Sequence, residues 1–296
     1  MNKFSSYEMA ALKESTDFFS KQAGNKEAKK NKKSSKVNSF INQKLEDSNL
    51  YKKLLEGIQY LFNFSSNCGT FIVQEKRVLK KAGTKAMEEI KLFELMQCEE
   101  VYQKLQLGQQ FQHVTFGAAT GACGLPGLVV DVAASPTIKN KSILEMGMAY
   151  GFNKFEAQLN GMSALLLDST DLIKEKVELL ALLKKAKQLI LKKIEEKSEE
   201  DLTELFLKTL FKSETAVKTL VTLFEKLGIK VTEKSIGKFI PILGGFFGGV
   251  FSLKEFNYFK TIYQHHFRLI WLKERNKISE EDYENILLGK TRKDAA

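Results

Sequence analysis

The chain has 296 residues, 43% hydrophobic and 28% charged, so it can bury a full core as one large domain or two small ones, and disorder throughout is excluded. Its three cysteines, Cys68, Cys98 and Cys123, form no CxxC pair, which excludes a disulfide framework or a cysteine-rich zinc module and suits a reducing compartment. The formal net charge is +10, and residues 21–36 supply much of it, with seven lysines against Glu27.

In chain order, Tyr7, Ala11, Phe18 and Phe19 line a short helix within residues 1–20, placed to dock on the main body. The first 13 residues contain no apolar run, so no secretory signal is expected and the expected location is cytoplasmic. Residues 21–36 read as a basic flexible linker, with Lys29, Lys30, Lys32 and Lys33 as candidates for contact with anionic lipid, each worth about 1 kcal/mol near such a surface. The block has no aromatic residue for stacking bases, so no nucleic-acid partner is expected.

Only three prolines occur and period-two alternation is scarce, which predicts an all-α fold: a single multi-helix globular domain over 37–275, then a short helix and polar tail over 276–296. Short helices are expected over 37–45 and 50–62. The pattern resumes over 71–81 and again over 84–107, where Ala86, Ile90, Phe93, Met96 and Val101 form a candidate buried stripe. Ser135 before Pro136 can cap a helix that ends near Gly151. Further helices are expected over 155–168 and 172–196, the second a core helix with a basic face. Ser198 to Asp201 opens a helix running to Lys212, and 213–227 makes another. From Pro241 to Lys273 one pattern carries Phe256, Phe259, Tyr263, Phe267 and Ile270, and Ser279, Glu280 and Glu281 open the last helix.

Two stretches handle apolar surface differently. Between His113 and Lys139 the only charge is Asp131, in a run with Gly117, Gly121, Gly124, Pro126 and Gly127. Residues 239–253 carry no charge and place Gly244, Gly245, Gly248 and Gly249 as two overlapping GxxxG pairs. Each glycine within a helix costs about 0.5–1 kcal/mol relative to alanine. Small residues at this spacing allow close helix approach, so a glycine-rich apolar helix pair is expected at the centre of the fold. At about 1.5 Å per residue the second stretch reaches roughly 22 Å, short of a hydrocarbon core of about 30 Å, and Gly-Leu-Pro-Gly breaks the first.

Residues 117–131, GAATGACGLPGLVVD, then AYGFNKFE at 149–156 and KFIPILGGFFGG at 238–249, resemble in order and spacing the signature stretches of the EcsC protein family. The resemblance extends from Tyr7 to about Trp271. It implies a bacterial-type intracellular helical domain and no particular reaction, and it draws attention to Tyr150 and Glu156. The chain departs from the family pattern after Asp131, where Val132 and Ala133 stand and Pro136 comes later.

Catalytic candidates are few. Asp131 lies among Val129, Val130 and Val132, so its carboxylate must be paired, hydrogen-bonded or protonated. His265 and His266 are adjacent and point about 100° apart on a helix, unlike the HExxH pair, so no metal site is expected. Gly161-Met-Ser163 lacks the second glycine of GxSxG, and Glu284 occupies the first-glycine place of a P-loop ending at Gly289-Lys290-Thr291. No cofactor is expected. The sequence therefore favours a non-enzymatic protein peripheral at the inner face of a membrane, binding anionic lipid or a membrane-protein partner through its glycine-rich segments. The alternative is a hydrolase or metal-dependent enzyme built on Asp131, Glu156 and a histidine.

Overall fold

A computed structural model describes residues 3–28, 75–106, 144–170, 172–210, 212–226 and 253–290. The fold is all-α, and no strand occurs among the described residues. The helices are α1 (Ser6–Ala28), α2 (Glu75–Ala82), the single turn α3 (Met87–Ile90), α4 (95–106), α5 (144–149), α6 (Lys154–Ser169), α7 (Ile173–Leu191), α8 (Glu199–Leu210), α9 (Glu214–Lys226), α10 (Leu253–Glu274) and α11 (Glu280–Leu287). The first helix continues through Ala28, so residues 21–28 of the expected flexible linker are helical.

Polar side chains open these helices by satisfying amide groups that have no partner one turn back. Ser5 Oγ accepts from the Glu8 amide, and the Glu8 carboxylate accepts from the Ser5 amide at 2.7 Å, a reciprocal capping box at the start of α1. The pairs Asn153–Glu156 and Ser279–Asp282 close the same box before α6 and α11. Ser198 Oγ and Ser213 Oγ accept from Asp201 and Ala216 amides ahead of α8 and α9.

Contacts group the chain into two compact units, each assembled from three separate stretches. Unit 1 takes residues 1–12, 64–164 and 241–278. Its core contains Leu95, Leu105, Met146, Phe267 and Trp271, with the Tyr150 and Phe267 rings stacked at 6.0 Å. Of the expected stripe, Ile90 and Val101 are buried, but Met96 is 49% exposed, and Leu95, Cys98, Glu99, Tyr102 and Leu105 share the inward face with Val101. The cause is a break at 91–94, which restarts the helical period. Arg275 Nη2 donates to the Lys91 carbonyl at 2.5 Å, and Gly151, at φ +88°, presses against the Lys91 backbone. A Cβ on Gly151 would stand 3.1 Å from Lys91 Cα, so only glycine both ends α5 and admits this break.

Unit 2 takes residues 13–63, 165–240 and 279–296. Helix α7 buries Leu179, Leu183, Ala186 and Ile190 against α8 and α9, which contribute Leu202, Phe206, Leu210 and Val217. Lys176 runs its stem through this core and donates to the Leu287 carbonyl at 3.4 Å, satisfying a C-terminal acceptor of α11. Gly289 ends α11 at φ +72°, close to the Phe19 carbonyl of α1.

Candidate functional site: a buried carboxylate hub

The most concentrated chemistry among the described residues surrounds Glu99 in unit 1. Helical spacing puts Leu95, Cys98, Glu99 and Tyr102 on the inward face of α4, so a carboxylate lies in an apolar stripe. Glu99 is 2% exposed. Desolvating an unpaired carboxylate costs several kcal/mol, and here four donors offset that cost. Arg268 of α10 grips it bidentately, Nε to Oε1 at 2.5 Å and Nη2 to Oε2 at 2.7 Å. The Tyr7 hydroxyl donates to Oε2 at 2.8 Å, and the Tyr150 hydroxyl donates to Oε1 at 3.2 Å. One carboxylate thereby ties α1, α4, α5 and α10 together.

The electrostatics follow from burial. The Tyr150 hydroxyl has its pKa pushed up by desolvation and then by the Glu99 charge, so it stays protonated and donates. His265 is held down at about 4 by burial and by the Arg268 charge, with Glu99 opposing, so it is neutral at pH 7. Burial raises the Cys98 thiol to about 12, against the pull of Arg275, which keeps it protonated and a poor nucleophile. Beside the hub, Lys277 Nζ donates to Glu8 Oε2 at 3.0 Å and to the Lys3 carbonyl at 2.6 Å, fastening the start of α1 a second time.

A second polar layer lies farther along α4. Arg77 Nη2 donates to the Leu105 carbonyl at 3.3 Å, and its Nη1 pairs with the buried Glu145 carboxylate at 3.4 Å. The Lys260 ammonium stands 5.8 Å from the Tyr102 ring centroid, within cation–π range.

Of the residues singled out from sequence, Tyr150 joins the hub. Glu156 is committed to the Asn153 capping box. Ser163, the serine of the incomplete GxSxG, is buried and donates to the Leu159 carbonyl at 2.8 Å, so its hydroxyl is engaged within its own helix. Gly289 of the P-loop-like triplet is a helix terminator. Asp131, Gly117, Gly121, Gly124, Pro126, Gly127, Gly244, Gly245, Gly248, Gly249, Lys29, Lys30, Lys32 and Lys33 lie outside the described residues. Among the described residues no group of three or more His, Cys, Asp or Glu side chains is arranged to hold a metal ion, and no helix is long and apolar enough to cross a membrane.

Sequence reasoning passed over Glu99, Arg268, Arg77 and Glu145. A signal existed for the first pair: Arg268 is the one charge in the apolar run 267–272, and Glu99 falls at helical spacing on the face of Leu95, Cys98 and Tyr102. Among the described residues, the fold and the hub define a helical protein in which the buried Glu99 and Arg268 join helices. The family model described as the EcsC protein family matches residues 7–272, nearly the whole chain. The chain belongs to the EcsC protein family. No curated protein matches it, and neither does any solved structure.

Proposed function

We propose that this EcsC-family protein is a non-enzymatic helical module that associates peripherally with an anionic membrane surface, at the inner face, through its glycine-rich apolar stretches. One observation carries the reading: residues 114–138 hold a single charge and 239–253 hold none, in a chain of net charge +10. Such stretches are costly to leave in water, yet the first is broken by Gly-Leu-Pro-Gly and the second is too short to span, so a surface-level engagement fits them. The lysine block at 21–36 adds long-range attraction for anionic headgroups that salt screens. The hydrolase reading loses one of its proposed residues, because the Glu156 carboxylate serves the start of α6.

Co-sedimentation with vesicles of phosphatidylcholine and phosphatidylglycerol tests this, at about 0.05 M and about 0.5 M salt. The protein is expected to pellet with anionic vesicles at low salt and less at high salt. Replacing Lys29, Lys30, Lys32 and Lys33 by Gln is expected to weaken the interaction. Protein that stays in the supernatant with every vesicle at both salts removes the membrane reading.

A further inference from the structure

Nine large apolar side chains are exposed among the described residues, and five of them belong to α7 and its two flanks: Leu172, Ile173, Val177, Leu191 and Ile194. On the helix, Ile173, Val177, Ala181, Lys184, Gln188 and Leu191 follow one another at three- and four-residue steps, so they form one outward stripe, turned away from the buried Leu179, Leu183, Ala186 and Ile190. Ile173, Val177 and Leu191 are 42%, 47% and 67% exposed, so the stripe is apolar toward both ends. In its middle Lys184 is turned to Glu280 and Glu284 of α11, at 3.8 and 3.6 Å, which offset its charge. The charges beside the stripe are polarised along it. Glu175 and Glu178 stand in the first two turns, and Lys184, Lys185, Lys187, Lys192 and Lys193 follow with no acid between them. Glu178 and Lys185 are seven residues apart, which places them on the same flank, and both are exposed. The Ser213 and Thr215 hydroxyls donate to the Glu178 carboxylate at 3.0 and 2.6 Å, which orients it without cancelling its charge.

We infer that this face of α7 docks a second copy of the chain, the two α7 helices lying antiparallel about a two-fold axis near residues 181 and 182. That axis sets Ile173 of each copy against Leu191 of the other and closes Ala181 on Ala181, where a small side chain permits close approach. An antiparallel pair matches each flank with the same flank of its copy, so Glu178 of each meets Lys185 of the other. The positive end of one helix dipole also comes to lie beside the negative end of the other. Lys174 and Lys192 fall at the ends of the seam, where water and salt screen them. A parallel pair would set the lysine-rich half of each helix against the same half of the other. An anionic bilayer carries one sign of charge along the whole helix and repels its acidic half. With a single helix on each side the interface falls at or below the lower bound of about 1,200 Å² for stable complexes, so the dimer is expected to be weak, with a Kd on the order of 10 µM.

Sedimentation velocity of the full chain from about 1 to about 200 µM, at about 0.1 M salt, tests this. The parent is expected to pass from monomer to dimer across that range. Val177→Glu sets an acid in the exposed stripe and removes nothing from the core, and it is expected to weaken self-association about tenfold or more. Glu178→Lys and Lys185→Glu are each expected to weaken it about fivefold, since the symmetry breaks each contact twice, and the chain carrying both is expected to regain the parent's affinity. Oxidation by copper phenanthroline in air reads the orientation. In a chain with Cys68→Ser and Cys123→Ser, the buried Cys98 staying in place, Ala181→Cys is expected to form a disulfide with its own copy. Ile173→Cys is expected to link to Leu191→Cys in a mixed sample and not to itself. A parent that stays monomeric at every concentration overturns the inference. So does a double charge reversal that dimerises no better than the single ones, or Ile173→Cys linking to its own copy. If Val177→Glu lowers pelleting with anionic vesicles while the parent is monomeric in solution, the face belongs to lipid and the inference falls.

Discussion

In unit 1 the residue at the meeting point of four helices is a carboxylate. In unit 2 the helices α7, α8 and α9 meet through Leu179, Leu183, Phe206 and Leu210, and the ion pairs of Lys184 with Glu280 and Glu284 lie at the surface. Apolar packing is non-directional and tolerates sliding, whereas a carboxylate gripped by Arg268, Tyr7 and Tyr150 accepts one register only. Unit 1 is thus the region built on directional contacts.

This contrast can be broken most sharply at the hub. Arg268→Met strands a buried Glu99 charge and is expected to cost about 3–5 kcal/mol in urea unfolding, while adding Glu99→Leu restores most of the loss. A single-variant cost under about 1 kcal/mol dissolves the distinction between the units. Next in size is a pH effect. As pH falls below 6.5 the unfolded chain protonates at His265, but the folded chain resists until about 4, so stability declines through that window. The loss is expected to be on the order of 3 kcal/mol, and His265→Gln should flatten that part of the stability–pH curve.

Tyr7→Phe and Tyr150→Phe each remove one donor to a charged acceptor and are expected to cost about 1.5–3 kcal/mol, with denaturant midpoints as the readout. Unit 2 supplies the small end of the scale. Ser279→Ala deletes the α11 cap for about 1 kcal/mol, and Lys184→Met, at a half-exposed pair, should change stability by less than about 1 kcal/mol. Equal costs for Tyr150→Phe and Lys184→Met would show that burial does not separate the two regions.

Much of the helical frame was legible because its signals are local. Helices open after Ser198, Ser213 and Ser279, where the sequence placed their starts, Gly151 ends α5, and Tyr263, Phe267 and Ile270 form the buried face of α10. The stripe through Phe93 and Met96 misled because apolar spacing continues across 91–94, and the break there is imposed from a distance by Arg275 and Gly151. The hub was hidden for the same reason. Glu99 and Arg268 are 169 residues apart, and no spacing rule links them. What could be read was the anomaly itself, a charge within an apolar helical face, which must find a partner when buried. Asp131 is likewise a lone charge in an apolar stretch of sequence, and it lies outside the described residues.

The central claim is that the Glu99 hub sets α10 antiparallel to α4. Spin labels at Lys104→Cys paired with Asn257→Cys, and at Lys104→Cys paired with Glu274→Cys, read this directly by electron–electron double resonance. Because 17 residues of helix span roughly 25 Å and residue 104 lies toward the 257 end, the 104–257 distance is expected to be clearly shorter than the 104–274 distance. A shorter 104–274 distance would contradict the account.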